Sequence, residues 1–319
     1  MKVIIVSGKN EFDQRHLELI QKHAAVDWIT TEETNFDKIM DLYSGDEEKI
    51  FAFSPVPFGW KIPDNLYAKL KMVKYICLPT SGFDFINLEK CKKHNVTVTN
   101  TPHYSTNAVA EYAIFMFLAL LKRLSIQIKS SYKYEFTQET LMDEIKGKTA
   151  GIIGLGHIGL RIATLAESLG MKVCYWSKHK KQTNFPFMEL PALIKSSSVL
   201  FPALAVNRET IGLLDKETLS GLKTDSYVIN IMHGIDSSDE VLDSKYLIQR
   251  AENNTLGGFA FESNIDKLTE HKGNIFITAP MAWYTKQSLA KNIELWTETI
   301  LSCLSNKPIN VINVNSISI

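Results

Sequence analysis

Thr149-Ala150-Gly151-Ile152-Ile153-Gly154-Leu155-Gly156-His157-Ile158-Gly159 is the stretch that decides how the chain is read. Its first five residues predict a short buried strand, and its last six spell G-x-G-x-x-G. Glycines cluster in many turns, so the motif carries weight only through its surroundings. Ile158–Leu169 has helical periodicity and Lys172–Tyr175 reads as a second strand. Strand, glycine turn, helix and strand in that order are what a dinucleotide-binding unit requires. The first glycine permits the tight turn, the second lets the backbone approach a pyrophosphate, and the third lets helix and strand pack closely. The helix start then offers free amides and a positive dipole end to the phosphates. Gly154, Gly156, His157, Ile158 and Gly159 are the candidate contacts, against the alternative of a glycine turn with no ligand.

The end of the second strand usually supplies a carboxylate for the ribose hydroxyls of NAD. Here it reads Tyr175-Trp176-Ser177-Lys178-His179-Lys180-Lys181, with no acid. A serine followed by cations accommodates a 2′-phosphate, so Ser177 and Lys178 point to NADP, with NAD still possible; the alternative is a solvated basic loop. Two rival motifs fail. Gly147-Lys148-Thr149 ends like a phosphate-binding loop, but Met142 stands where its first glycine belongs, and there is no G-x-S-x-G nucleophile turn.

Outward from this unit, apolar runs alternate with helical segments, the pattern of parallel sheets wrapped by helices. Strands are expected at Val3–Val6, Ile50–Phe53, Tyr75–Leu78, Val96–Thr99, Val199–Ala203, Tyr227–Ile231, Thr255–Ala260 and Ile275–Thr278. Thr106 to Arg123 reads as a long helix, apolar on most faces, with Thr106 as N-cap. Ser130 to Lys148 is polar surface helix or loop; Gln287 to Leu304 is an amphipathic helix carrying Trp296 on its apolar side and leading into Ile309–Val314. The 319 residues suggest two domains, and 35 Lys+Arg against 35 Asp+Glu with no basic run argue against a nucleic-acid partner. The longest apolar run, Ala113 to Leu121, is about half a membrane span. With no leader pattern at Met1–Ser7, the expectation is a soluble cytoplasmic protein with no membrane partner. Cys77, Cys91, Cys174 and Cys303 are too few and scattered for a disulfide framework, and neither they nor the histidines have metal-ligand spacing.

Further motifs resemble the D-isomer-specific 2-hydroxyacid dehydrogenase family over nearly the whole chain. Ser81-Gly82-Phe83-Asp84-Phe85-Ile86 resembles its carboxylate-binding turn, and Asn100-Thr101-Pro102 with Ala108-Val109-Ala110-Glu111 resembles the approach to its long helix. Asn230, Gly234, Pro280 and Asn292 follow at matching places. The resemblance implies an α/β chain of two Rossmann-like domains with parallel sheets. A discontinuous substrate domain is expected over 1–100 and 288–319, with the dinucleotide domain, 101–287, inserted. It also implies a homodimer acting on a small molecule. Candidate substrate contacts are Ser81, Gly82, His103, Tyr104, Met281 and Trp283, and Thr106 is a further cofactor candidate.

The family reduces 2-keto acids reversibly, with an arginine on the substrate, a histidine as acid–base and a glutamate beside it. This sequence departs at all three places: His233 stands for the arginine, Asn264 for the glutamate and Met281 for the histidine. Phe259 stands where the family has an aspartate. His233 cannot reproduce a bidentate guanidinium grip, a loss of roughly 1.5–3 kcal/mol, and losing the general acid forfeits ~10²–10⁴-fold in rate. Hydride transfer to a protonated imine needs no side-chain acid. Met281, Trp283, Tyr284 and Phe259 could line an apolar site for such a cation, with Glu262 stabilising it. For another acceptor, His233 or Tyr284 could donate the proton. The candidate catalytic set is therefore His233, Glu262 and Tyr284. Glu262 has the alternative of a surface or capping residue, and His233 and the Trp283–Tyr284 pair that of packing. Three readings stand: an NADPH-using reductase of an imine or unusual carbonyl, a silent dinucleotide-binding sensor or interaction protein, and an ordinary 2-hydroxyacid dehydrogenase with substituted catalytic residues.

Overall fold

The computed structural model describes residues 1–133, 135–138, 140–232, 241–263 and 271–312. The chain divides into two compact units, Met1–Tyr104 with Thr285–Ile319, and Ser105–Tyr284. Each is a mainly parallel sheet with helices on its faces.

The first unit holds β1 (Lys2–Ser7), α1 (Gln14–Gln21), β2 (Val26–Thr30), β3 (Lys49–Phe53), α2 (Leu66–Lys69), β4 (Val73–Cys77), α3 (Leu88–Lys93) and β5 (Thr97–Thr99). Residues Val3–Val6 and the whole of β3 are buried, as continuous apolar runs must be when a strand is covered on both faces. Ile4, Val6, Phe51 and Phe53 meet Phe36 and Phe58 on one face, the last two stacked at 4.1 Å. Val3, Ile5, Ile50 and Ala52 turn the other way, toward a helix from the far end of the chain, Lys286–Leu304. That helix starts where the Thr285 hydroxyl accepts from the Ser288 amide at 3.1 Å. Its Trp296 is fully buried, edge-on to Phe12 at 5.3 Å, and donates its indole N–H to the Cys77 carbonyl at 3.0 Å. Cys303, on the same helix, lies with its Sγ 3.7 Å from that of Cys77. β2 gave no apolar run in the sequence: it is a half-buried edge strand, Val-Asp-Trp-Ile-Thr, placed by its pairing with β1.

The second unit opens with α4 (Thr106–Leu121) and α5 (Leu124–Lys129). The residue capping α4 is Ser105, not Thr106; Thr106 is already helical, and no side chain caps this end. The helix stops short of Arg123, which takes a left-handed φ of +49° and turns the chain into α5. Then follow β6 (Thr149–Ile153), α6 (His157–Ser168), β7 (Lys172–Trp176), α7 (Leu190–Ser196), β8 (Val199–Pro202), α8 (Lys216–Leu219), β9 (Tyr227–Asn230), α9 (Ser244–Glu252), β10 (Gly258–Glu262) and β11 (Ile275–Thr278). The helix Lys286–Leu304 is α10, and Val311–Ile312 is β12 of the first unit. β10 begins later than the apolar pattern suggests, because Thr255 closes the end of α9: its amide donates to the Arg250 carbonyl at 2.8 Å. One face of the second sheet packs against α4 and α6, where Phe117 meets Phe201 and Tyr227 edge-on.

The strand orders are β12-β5-β4-β3-β1-β2 and β11-β10-β9-β8-β6-β7, parallel throughout except for β12 against β5. In each unit the winding reverses beside its first strand, between β1 and β3 and between β6 and β8. A crevice opens beyond the strand ends at such a reversal, the usual ligand position in open α/β sheets. Among the described residues no helix is long and apolar enough to cross a membrane.

Candidate functional site

The reversal in the second unit holds the glycine turn. β6 ends at Ile153, and Gly154 leaves the sheet at φ +93°, its amide bonded to the Trp176 carbonyl at 2.8 Å. A Cβ at Gly154 would lie 2.7 Å from the Ala203 carbonyl oxygen, so both dihedral and space demand glycine. A Cβ at Gly159 would run into the Gly154 carbonyl, which is how closely α6 sits against β6. Gly156 differs: a Cβ there would meet nothing within 4 Å. Its backbone is open to an approaching ligand, and as the N-cap of α6 it brings no side chain to the helix start. His157 and Ile158 follow, the first exposed and the second half-buried. A helix N-terminus with glycine at its cap and a glycine surface open on the outside fit a pyrophosphate.

At the neighbouring strand end the Ser177 side chain is buried and donates to the His179 carbonyl at 2.5 Å. Lys178 is exposed and its ammonium meets the Glu209 carboxylate at 2.5 Å. Lys180 lies over the Phe187 ring at 4.8 Å. Thr106 is half-buried in the first turn of α4.

At the ends of β9 and β10, Asn230 is buried and accepts from the Met232 amide at 3.1 Å. His233, Gly234 and Asn264 lie outside the described residues. The Glu262 side chain accepts from the Ala282 amide at 2.8 Å and also bonds the Met281 amide. It is therefore no surface residue: it is a buried brace for the turn carrying Met281, Trp283 and Tyr284. Those three side chains stay 50%, 37% and 49% exposed, the two rings edge-on at 5.2 Å. Phe259 does not join them. It is fully buried against Phe261 in the core, which removes it from the expected apolar lining.

Burial pushes the Glu262 carboxyl above its ordinary 4.5, and the two amides pull it back only in part. The folded state then holds this proton more tightly than the unfolded chain, so the group's contribution to stability declines as pH rises through and above about 4.5. Glu262→Gln keeps an oxygen for the Ala282 amide and removes the buried charge. Its expected stability at neutral pH is within about 1 kcal/mol of the parent, with a flatter decline above about pH 4.5. Urea titrations across that range check it; a loss beyond about 3 kcal/mol would mean the charge itself holds the turn.

In the first unit Ser81 is exposed, its hydroxyl donating to the Thr101 carbonyl at 3.0 Å while its own carbonyl accepts from Asn100 at 2.8 Å. The Gly82 carbonyl accepts from the Thr80 hydroxyl at 2.7 Å. Asn292 of α10 donates to the Pro79 carbonyl at 2.8 Å, fixing the approach to this turn. His103 is exposed at a left-handed φ of +63°. Tyr104 is pushed up to about 12, by burial first and by the Glu11 charge second. Glu11 escaped the sequence reading. Its carboxylate takes the Gly8 amide at 2.7 Å and the Ser54 hydroxyl at 2.9 Å, joining the loops that follow β1 and β3. Among the described residues it has no ion-pair partner. Glycine directly after an apolar strand, with an acid three residues on, was the available signal. Glu209 was also missed; it comes from the loop after β8, which no motif marks.

The structure thus assembles three groups separately: Gly154–Gly159 with Ser177 and Lys178, Glu262 with Met281, Trp283 and Tyr284, and Ser81 with Gly82. A family model described as D-isomer specific 2-hydroxyacid dehydrogenase, NAD binding domain, matches residues 114–275. A 2-hydroxyacid dehydrogenase homolog of Zymomonas mobilis is 28% identical over 316 residues, covering 91% of this chain and 93% of its own. A D-lactate dehydrogenase of Staphylococcus aureus is 25% identical, covering 89% of this chain and 94% of its own. Among solved structures, an acyclic imino acid reductase in complex with NADPH and D-Arg superposes with a TM-score of 0.82. It is 24% identical, over 98% of this chain and 100% of that one, and shares the fold.

Proposed function

The chain belongs to the D-isomer specific 2-hydroxyacid dehydrogenase family and is an NAD(P)-dependent oxidoreductase; from that premise we propose that it uses NADPH to reduce an imine, or an unusual carbonyl, through a rebuilt active site. The observation that carries this reading is the turn braced by Glu262. Where the family resemblance places an acid–base histidine, this turn presents the Met281 thioether, which holds no transferable proton, beside Trp283 and Tyr284. The nearby carboxylate, Glu262, is committed to backbone amides.

NADPH, when bound, supplies the hydride. Reduction of a carbonyl leaves an alkoxide that needs a proton, whereas a protonated imine becomes a neutral amine with none required. An aromatic and thioether surface suits such a cation. His233 and Tyr284 are the groups proposed to give a proton when the acceptor is a carbonyl. The pyrophosphate is assigned to Gly154, Gly156, Gly159 and the first amides of α6, and the 2′-phosphate to the turn at Ser177 and Lys178. Ser81 and Gly82 are assigned to the substrate carboxylate, and His103 and Tyr104 to its surroundings. The first unit is read as the substrate domain. The acyclic imino acid reductase, solved with NADPH and the amino acid D-Arg, supports the choice of cofactor and of an imino acid as the substrate class. A homodimer is proposed on the family resemblance.

NADPH oxidation by micromolar protein tests this, with glyoxylate, pyruvate and hydroxypyruvate offered alone and then with excess methylamine or ammonia. Turnover is expected only with the amine present, and should fall at least tenfold in Met281→His if the rebuilt surface serves the cation. Rapid turnover on the keto acids alone would restore the ordinary family activity. Nucleotide binding without turnover on any keto acid, imine or bulky ketone would leave the silent sensor as the reading.

A further inference from the structure

The loops after β7 and β8 are each braced from within. After β7, the Ser177 hydroxyl bonds the His179 carbonyl, and the Tyr175 hydroxyl accepts from the Lys181 amide at 2.9 Å. After β8, the Thr210 hydroxyl donates to the Ala205 carbonyl at 2.7 Å, and Asn207 accepts from the Glu209 amide at 2.9 Å. β6 lies between these two strands in the sheet. The Lys178–Glu209 ion pair therefore ties the loops on either side of the glycine turn to one another. The other lysines of the basic turn, Lys180 and Lys181, form no ion pair among the described residues.

We propose that Glu209 is a cofactor-selecting residue: its carboxylate occupies Lys178 until the 2′-phosphate of NADP(H) replaces it, whereas NAD(H) binds with the pair intact. This rests on the reading of Lys178 as the 2′-phosphate contact. A phosphate monoester carries close to two negative charges at neutral pH against one for a carboxylate, and has three acceptor oxygens. It wins the exchange, but the affinity for NADPH is reduced by what the ion pair was worth. An exposed pair of this kind is worth a small factor and is screened by salt. Glu209 thus narrows the preference for NADPH that the basic turn creates, and the chain keeps usable affinity for both nucleotides. The bond exchange is wholly non-covalent and leaves the fold untouched, since each loop keeps its own bracing.

Fluorescence titration of the full chain with NADPH and with NADH tests this at low and moderate salt, in the parent, Glu209→Gln, Lys178→Met and the double variant. Glu209→Gln should tighten NADPH about three- to fivefold at low salt, less at moderate salt, and leave NADH within a factor of two. Lys178→Met should weaken NADPH selectively, and adding Glu209→Gln to it should gain nothing. An equal change for both nucleotides, no change, or a gain that persists without Lys178 overturns the proposal. If the folded parent binds NADH and NADPH equally and Lys178→Met affects neither, the 2′-phosphate reading fails as well. A parent that binds neither nucleotide fails the nucleotide site itself.

Discussion

Gly159→Ala should cost NADPH affinity about a hundredfold or more while leaving a folded protein. Alanine is the better helix former by about 1 kcal/mol, so propensity alone predicts a gain. Packing opposes it: the new Cβ would run into the Gly154 carbonyl oxygen, a backbone atom that cannot rotate away. α6 must back off from β6, which costs roughly 1–3 kcal/mol as overpacking and carries the first-turn amides with it. Two displaced amide–phosphate bonds at roughly 1.5–3 kcal/mol each account for the affinity loss. Gly156→Ala supplies the contrast, because its Cβ meets no protein atom within 4 Å and its φ of −81° suits alanine. That variant should keep the parent's melting temperature and still bind NADPH more weakly, since the methyl occupies the ligand's side of the turn. Titrations paired with circular dichroism read both effects. Parental affinity in both folded variants would remove the pyrophosphate from this turn.

Trp296→Ala carries the largest expected stability loss, about 3–5 kcal/mol. The indole is fully buried between β-sheet and α10, and the change empties its space and leaves the Cys77 carbonyl without its donor. Against a total stability of about 5–15 kcal/mol that loss is severe. Trp296→Phe refills most of the volume and forfeits the hydrogen bond, so it should cost roughly 1–3 kcal/mol. Urea denaturation distinguishes the two; equal losses would show that the hydrogen bond, rather than the cavity, dominates.

The fold and the glycine turn were legible because their signals are local. Ile152-Ile153 followed by Gly154 and Gly156 places strand end and helix start within a few residues, and the structure puts β6 at Thr149–Ile153. β2 was invisible for the opposite reason: an edge strand with one partner and an aspartate at its second position has no apolar run to display. Thr106 misled because a threonine before an apolar run looks like a cap, whereas the chain bends one residue earlier, at Ser105. Glu262 was assigned two possible roles because a lone carboxylate at a strand end does not reveal its donor amides about twenty residues on. Lys178 was singled out, but its partner Glu209 is 31 residues away, and pairing across that distance is set by the reversal of the sheet. Glu11 likewise acquires meaning only when Ser54 arrives beside it.

The split build of the first unit has a consequence for the order in which a ribosome delivers its parts. β1 to β5 have all been made by residue 99, yet α10, which covers Val3, Ile5, Ile50 and Ala52, starts only at residue 286. At about 5–20 residues per second, that face waits roughly 10–40 s for its lid of Trp296, Ile300 and Cys303. The second unit is continuous, so all its strands emerge before α10 does. During synthesis the nascent chain therefore carries a sheet face covered only in part, by Phe12, Leu17 and Ile20 at α1, while the second unit can already close. That half-made intermediate exposes the kind of apolar surface that makes nascent chains prone to aggregate.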